Sequence, residues 1–227
     1  MFDKIFNLRE KGYVPDIIFD IGANHGNWTR EVLKIYPIRK YLLFEPIEYN
    51  ELDDLKKQEN IKVFHELLNE SNTVVDWYEM KNTGDSMFKE RTKDFENCSV
   101  YKKKSTTLNS FLETTEGILE NCKNILMKID CQGAEISILK GATNILNITD
   151  FIIIEIPMFG QYNENVPNFL EHIKFMDDIG FIPYEFLESH YRNGFNIQVD
   201  ILFINKNHSF NDLIENLFKN TLFTFYT

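Results

Sequence analysis

Four carboxylates and one glycine turn carry the chemistry this sequence offers. "FDIGANHGNWT" (19–29) is an apolar run with Asp20 near its end, followed by a turn in which Gly22 and Gly26 bracket Asn24 and His25. Glu45 closes a second apolar run, "KYLLFEP" (40–46). Asp130 closes "NILMKID" (124–130), and Glu155 stands inside "DFIIIEI" (150–156). A carboxylate at a strand end can attract a cation, hold hydroxyl groups or accept a proton. One set in so apolar a run is costly without a partner, which marks Glu155.

The turn discriminates between ligands. A nicotinamide dinucleotide favours G-x-G-x-x-G, whose middle glycine lets the backbone approach pyrophosphate. Here Asn24 and Asn27 stand where the second and third glycines would be, and Asp20 would repel phosphate. S-adenosylmethionine carries an ammonium and a sulfonium, so an acidic strand end suits it better. Glu45 lies at the distance along the chain where an acidic side chain takes the ribose hydroxyls. A solvated turn with no ligand is the bland alternative.

These residues need a scaffold that brings strand ends together. Strand-length apolar runs alternate with helical patterns: "DIIFDI" before "NWTREVLKIY", "KYLLFEP" before "YNELDDLKKQ", "NILMKID" before "AEISILKGATNIL", "DFIIIEI" before "NFLEHIKFMDDIG". "IKVFHELL" and "TVVDWYEM" are further strand candidates. This alternation predicts an α/β fold, a mainly parallel sheet with helices on both faces, whose ligands bind beyond the carboxyl ends of the strands. "FIPYEFLE" and "QVDILFINK" lack a helix between them and suit an antiparallel edge pair. Residues 1–15 read as a helical lead-in, and the polar stretch 81–105 as a long loop or lid. Without repeat or linker, one domain is expected.

At this point "FDIGANHGNWT", "LLFEP" and above all "LMKIDCQGAEISILKGA" (126–142), followed by "DFIIIEI", resemble the FkbM family of S-adenosylmethionine-dependent methyltransferases. The likeness runs from about residue 15 to residue 205. It implies a class I methyltransferase, Rossmann-like, with a seven-stranded sheet of order 3-2-1-4-5-7-6 and the last strand antiparallel. It also implies O-methylation, commonly of a sugar hydroxyl or a polyketide-derived hydroxyl. By position, Asp20, Gly22, Asn24 and Gly26 would line the methionine end of the cofactor, Glu45 would hold the ribose, and Pro46 or Ile47 would lie along the adenine. Leu68 and Asn69 are further adenine candidates.

Asp130 is the expected base or orienting carboxylate, and Glu155 its partner or a holder of a second hydroxyl. A helix cap is the alternative role for Asp130, and a buried ion pair for Glu155. Gln132 could orient the acceptor, and Ser86 in "TGDSMF" could close the site. Asp130 and Glu155 could also ligate a magnesium ion, which takes carboxylate oxygens, but no DxD motif or His cluster stands beside them, so a metal-free mechanism is the expectation. His25 and His172 read as bystanders. His190 and Tyr191, with Phe159, Tyr162 and Tyr184, are weak acceptor contacts.

Composition sets the remaining bounds. A net charge of -11 speaks against nucleic acid and anionic membrane as partners. No apolar stretch approaches membrane-span length, and the charged N-terminus is no signal peptide. Cys98, Cys122 and Cys131 form no CxxC pair, so a reduced cytoplasmic setting is expected. The expected partners are the cofactor and a small-molecule or glycan acceptor. A nicotinamide oxidoreductase, methylation of a non-carbohydrate hydroxyl and a non-catalytic binding protein are the competing readings.

Overall fold

The structure, a computed structural model, describes residues 1–158 and 163–220. The chain runs α1 (Phe2–Glu10), β1 (Ile17–Ile21), α2 (Asn27–Ile35), β2 (Lys40–Phe44), α3 (Asn50–Lys56), β3 (Ile61–Phe64), β4 (Leu67–Leu68) and β5 (Thr73–Glu79). It continues with β6 (Ser99–Thr106), α4 (Leu108–Thr114), β7 (Ile125–Ile129), α5 (Glu135–Lys140), α6 (Thr143–Leu146), β8 (Thr149–Pro157), α7 (Phe169–Asp178), β9 (Phe181–Arg192), β10 (Phe195–Asn205) and α8 (Phe210–Asn220).

Seven strands form the main sheet in the order β3-β2-β1-β7-β8-β10-β9. Translated into main-sheet order this is the predicted 3-2-1-4-5-7-6. β10 runs antiparallel to both β8 and β9, and the other pairs are parallel. Every residue of β1 and β7 is buried, as central strands covered on both faces must be. Alternation then sorts the side chains. Phe19, Ile21, Met127 and Ile129 join a core with α4, α5, α6 and α7. Ile18, Leu126 and Ile153 join another with Ile5 and Leu8 of α1, Trp28 and Val32 of α2 and Leu52 of α3.

Four sequence expectations change. "IKVFHELL" is two strands, because only β3 pairs with β2, while β4 leaves for a second sheet of order β4-β6-β5. "TVVDWYEM" belongs to that second sheet. The stretch 81–105 is loop only in its first part; Ser99–Thr106 is β6, paired antiparallel with β5 from Thr73↔Ser105 to Glu79↔Ser99. The helix expected after Asp130 also divides at Gly141 into α5 and α6. Within the lead-in 1–15, Phe2–Glu10 form α1, and the expected β9–β10 edge hairpin turns at Asn193–Gly194.

Candidate active site

Parallel strands that end on one side of a sheet leave a cleft there. The carboxyl ends of β1, β2, β7 and β8 open onto a cavity of about 340 Å³, with Gly22, Glu45, Asp130 and Glu155 all in its wall. That volume is within the range of small-molecule sites, roughly 300–1,000 Å³. A further part of the wall comes from β5 and the loop that follows it: Trp77, Asn82, Thr83, Asp85 and Met87. Ser86 is buried between them, donating its Oγ hydrogen to the Gln132 carbonyl at 3.0 Å. The stretch expected as a long loop or lid thus contributes to the cavity wall.

The glycine turn is held from two directions. Gly22 adopts φ +78°, and a Cβ there would sit 2.0 Å from the Asp130 carbonyl oxygen. Gly22 therefore allows the ends of β1 and β7 to approach, a packing role that the sequence reading assigned to ligand space. Glu45 clamps the turn from β2: its Oε2 accepts the Asn24 N–H at 2.8 Å and its Oε1 the Ile47 N–H at 3.0 Å. Burial pushes the Glu45 carboxyl above its ordinary value, and those two amides oppose the rise. Asn24 and Gln132, both in the wall, hold left-handed backbone, φ 48° and 52°. Strained non-glycine residues of this kind gather at functional sites.

Asp20 and Gly26 lie behind the wall. Asp20 is fully buried, accepting the Thr29 hydroxyl at 2.6 Å and facing Lys128 Nζ at 4.0 Å. Its cation is a side chain of the protein. A Cβ on Gly26 would meet Leu55 Cδ1 at 2.4 Å, so Gly26 fits α2 against α3. Pro46, Ile47 and Leu68 line the cavity, together with Phe44, Leu67 and Ile138. Asn69 turns away, its side-chain amide donating to Ser105.

At the end of β7, Lys128 Nζ donates to Asp130 Oδ2 at 3.0 Å. Burial opposes the lysine's charge, but the Asp130 and Asp20 carboxylates hold its pKa above the ordinary value. Asp130 caps no helix: α5 starts after Ala134 without a side-chain cap, and Glu135 Oε1 takes the Cys131 and Gly133 amides. Gln132 Nε2 lies 3.3 Å from both Asp130 Oδ1 and Glu155 Oε2, tying the two expected catalytic carboxylates together. Burial, then the Asp130 and Asp200 charges, push the Glu155 carboxyl well above its ordinary value.

The base that Glu155 needs comes from the edge hairpin. His190 Nε2 is 2.8 Å from Asp200 Oδ2 and 4.0 Å from Glu155 Oε1. The Asp200 hydrogen bond raises the imidazole pKa despite partial burial. His190, Asp200 and Glu188 all line the cavity; Tyr191 is exposed, and Tyr184 packs on Phe151 away from it. Phe159 and Tyr162 lie outside the described residues. His25 lines the cavity beside Tyr49, while His172 is fully buried, its Nδ1 against the Asn168 carbonyl. The sequence reading does not single out Lys128 and Asp200, although "LMKID" and "QVDILF" resemble "FIIIEI" in setting a charge within an apolar strand.

Residues 20–183 match the methyltransferase FkbM domain family. No curated protein matches the chain. Among solved structures, a 1,6-didemethyltoxoflavin-N1-methyltransferase of Burkholderia thailandensis, with bound 1,6-didemethyltoxoflavin and S-adenosylhomocysteine, is similar at TM-score 0.52 and 10% identity, over 91% of this chain and 77% of that one. A methyltransferase FkbM of Methylobacillus flagellatus KT is similar at TM-score 0.51 and 14% identity, over 83% of this chain and 43% of that one. At such identities the likeness shows a shared fold.

Proposed function

The chain belongs to the FkbM methyltransferase family, and on that premise we propose that it methylates a hydroxyl group of a sugar or glycan, with S-adenosylmethionine as cofactor. Bound in the cavity, the cofactor supplies an electrophilic methyl group. The residues present fit it. The Glu45 carboxylate can accept ribose hydroxyls while clamping the turn, and Ile47, Leu67 and Leu68 offer an apolar slot for the adenine. Trp28 and Trp77 line the same cavity, and their buried indole N–H groups have no partner among the described residues.

The observation that carries the hydroxyl assignment is the pair Asp130 and Glu155, bridged by Gln132 Nε2 at 3.3 Å to each, on the wall beside the glycine turn. An alcohol attacks well only when its proton is accepted as the bond forms. Asp130 takes or orients that proton, and Lys128 holds Asp130 in place. Glu155 accepts a neighbouring hydroxyl. With Glu188, His190 and Asp200 also in the wall, this end of the cavity suits an acceptor rich in O–H donors.

Labelled methyl donor incubated with a panel of sugars and glycans tests the reading, and transfer to a hydroxyl is the expected result. Asp130→Asn should lower turnover by about two to four orders of magnitude, the usual worth of a positioned acid–base group. Its affinity for S-adenosylhomocysteine should stay within a fewfold of wild type. Wild-type turnover of the variant would leave catalysis to alignment and exclusion of water.

A further inference from the structure

The edge of the main sheet carries a donor set of which the proposed proton transfer uses only Glu155. Glu155 on β8, Asp200 on β10 and His190 on β9 come from three hydrogen-bonded strands. Asp200 stands directly opposite Glu155 in one ladder and opposite Glu188 in the other. Like charges facing each other across a ladder are destabilising. One oxygen or nitrogen from each of Glu155, His190 and Asp200 lies within 4.8 Å of the others.

We propose that Glu155, His190 and Asp200 form a binding site for a divalent first-row metal ion of the manganese type, open to the acceptor end of the cavity. The distances fit. Donors bound at about 2.1 Å to one ion lie roughly 3–4 Å from each other, and His190 Nε2 is 2.8 Å from Asp200 Oδ2 and 4.0 Å from Glu155 Oε1. One imidazole and two carboxylates without sulfur suit such an ion.

A second observation concerns how Glu155 is aimed. Its Oε2 accepts from Gln198 Nε2 at 2.9 Å and Gln132 Nε2 at 3.3 Å, which turns Oε1 toward His190. Amides fixing the far oxygen of a carboxylate are the outer support that metal ligands ordinarily have. Asp200 is almost fully buried, while the cavity side of the group remains open for a hydroxyl or water. An ion held here would polarise an acceptor hydroxyl, lowering the cost of moving its proton to Asp130. That use rests on the methyltransferase reading; the existence of the site does not.

The experiment is titration of the full chain, stripped with chelator, with Mn²⁺ alone, followed by electron paramagnetic resonance and calorimetry. One ion per chain is expected, with a nitrogen hyperfine coupling from His190. His190→Gln should abolish the coupling, and Asp200→Asn should weaken binding at least tenfold in a variant that keeps its melting transition. No stoichiometric binding to wild type, or an unchanged coupling in folded His190→Gln, overturns the site. S-adenosylhomocysteine binding is measured on the same protein. Mn²⁺ binding without cofactor binding would support the site and overturn the methyltransferase reading, whereas the reverse would overturn the site alone.

Discussion

Lys128 and Asp20 are register partners on adjacent parallel strands, and the lysine Nζ reaches both Asp20, at 4.0 Å, and Asp130, at 3.0 Å. One buried cation thus links a structural carboxylate behind the glycine turn to the proposed catalytic one on the cavity wall.

Removing that cation should be expensive. Lys128→Met leaves Asp20 fully buried with the Thr29 hydroxyl and backbone N–H beside it but no cation, and breaking a buried pair costs about 3–5 kcal/mol. Urea unfolding should show that loss, and adding Asp20→Asn to Lys128→Met should restore part of it. Additive losses in the double variant would mean that the two charges are not coupled.

Gly22→Ala should damage the fold before it damages binding. The new Cβ meets the Asp130 backbone, and the residue must keep a left-handed φ. Backbone strain and overpacking together predict a loss of about 2–5 kcal/mol in unfolding free energy. A variant with wild-type stability and no affinity for S-adenosylhomocysteine would instead return Gly22 to the role of ligand space.

Glu45→Gln should weaken S-adenosylhomocysteine binding by about 1.5–3 kcal/mol, roughly ten- to a hundredfold, the worth of hydrogen bonds to a charged group. Calorimetry on folded protein measures it directly. Glutamine keeps one oxygen for either the Asn24 or the Ile47 amide, so the turn should stay ordered. Unchanged affinity would remove Glu45 from the ribose.

Glu135 gives stability a pH dependence of definite sign. Burial pushes its carboxyl from 4.5 up to about 7, with the Cys131 and Gly133 amides pulling against the rise. The folded state therefore holds this proton more tightly than the unfolded chain. The contribution is complete below about pH 4.5 and is lost as the pH rises through about 7, in total roughly 3 kcal/mol. Urea unfolding of wild type and Glu135→Gln across that window should diverge by this amount, the variant being the less sensitive. Parallel curves would show that Glu135 keeps its ordinary affinity for the proton.

The sequence by itself determined the seven main-sheet strands in their chain order, the antiparallel edge, and which strand ends carry Glu45, Asp130 and Glu155. Burial on both faces makes "DIIFDI", "NILMKID" and "DFIIIEI" continuous apolar runs, and a charge at the end of such a run is visible in one dimension. The departure of β4 from the sheet was not legible, because "IKVFHELL" satisfies strand propensity whichever partner it takes. Nor was the recruitment of β5 and the loop after it into the cavity wall. Tertiary structure alone decided that Asp20 belongs to Lys128, that Gly22 makes room for a backbone, and that Glu155, His190 and Asp200 share one corner. Those residues are 10 to 108 positions apart in the chain, and their distances are set by the ladder spacing between strands, which no local pattern of residues records.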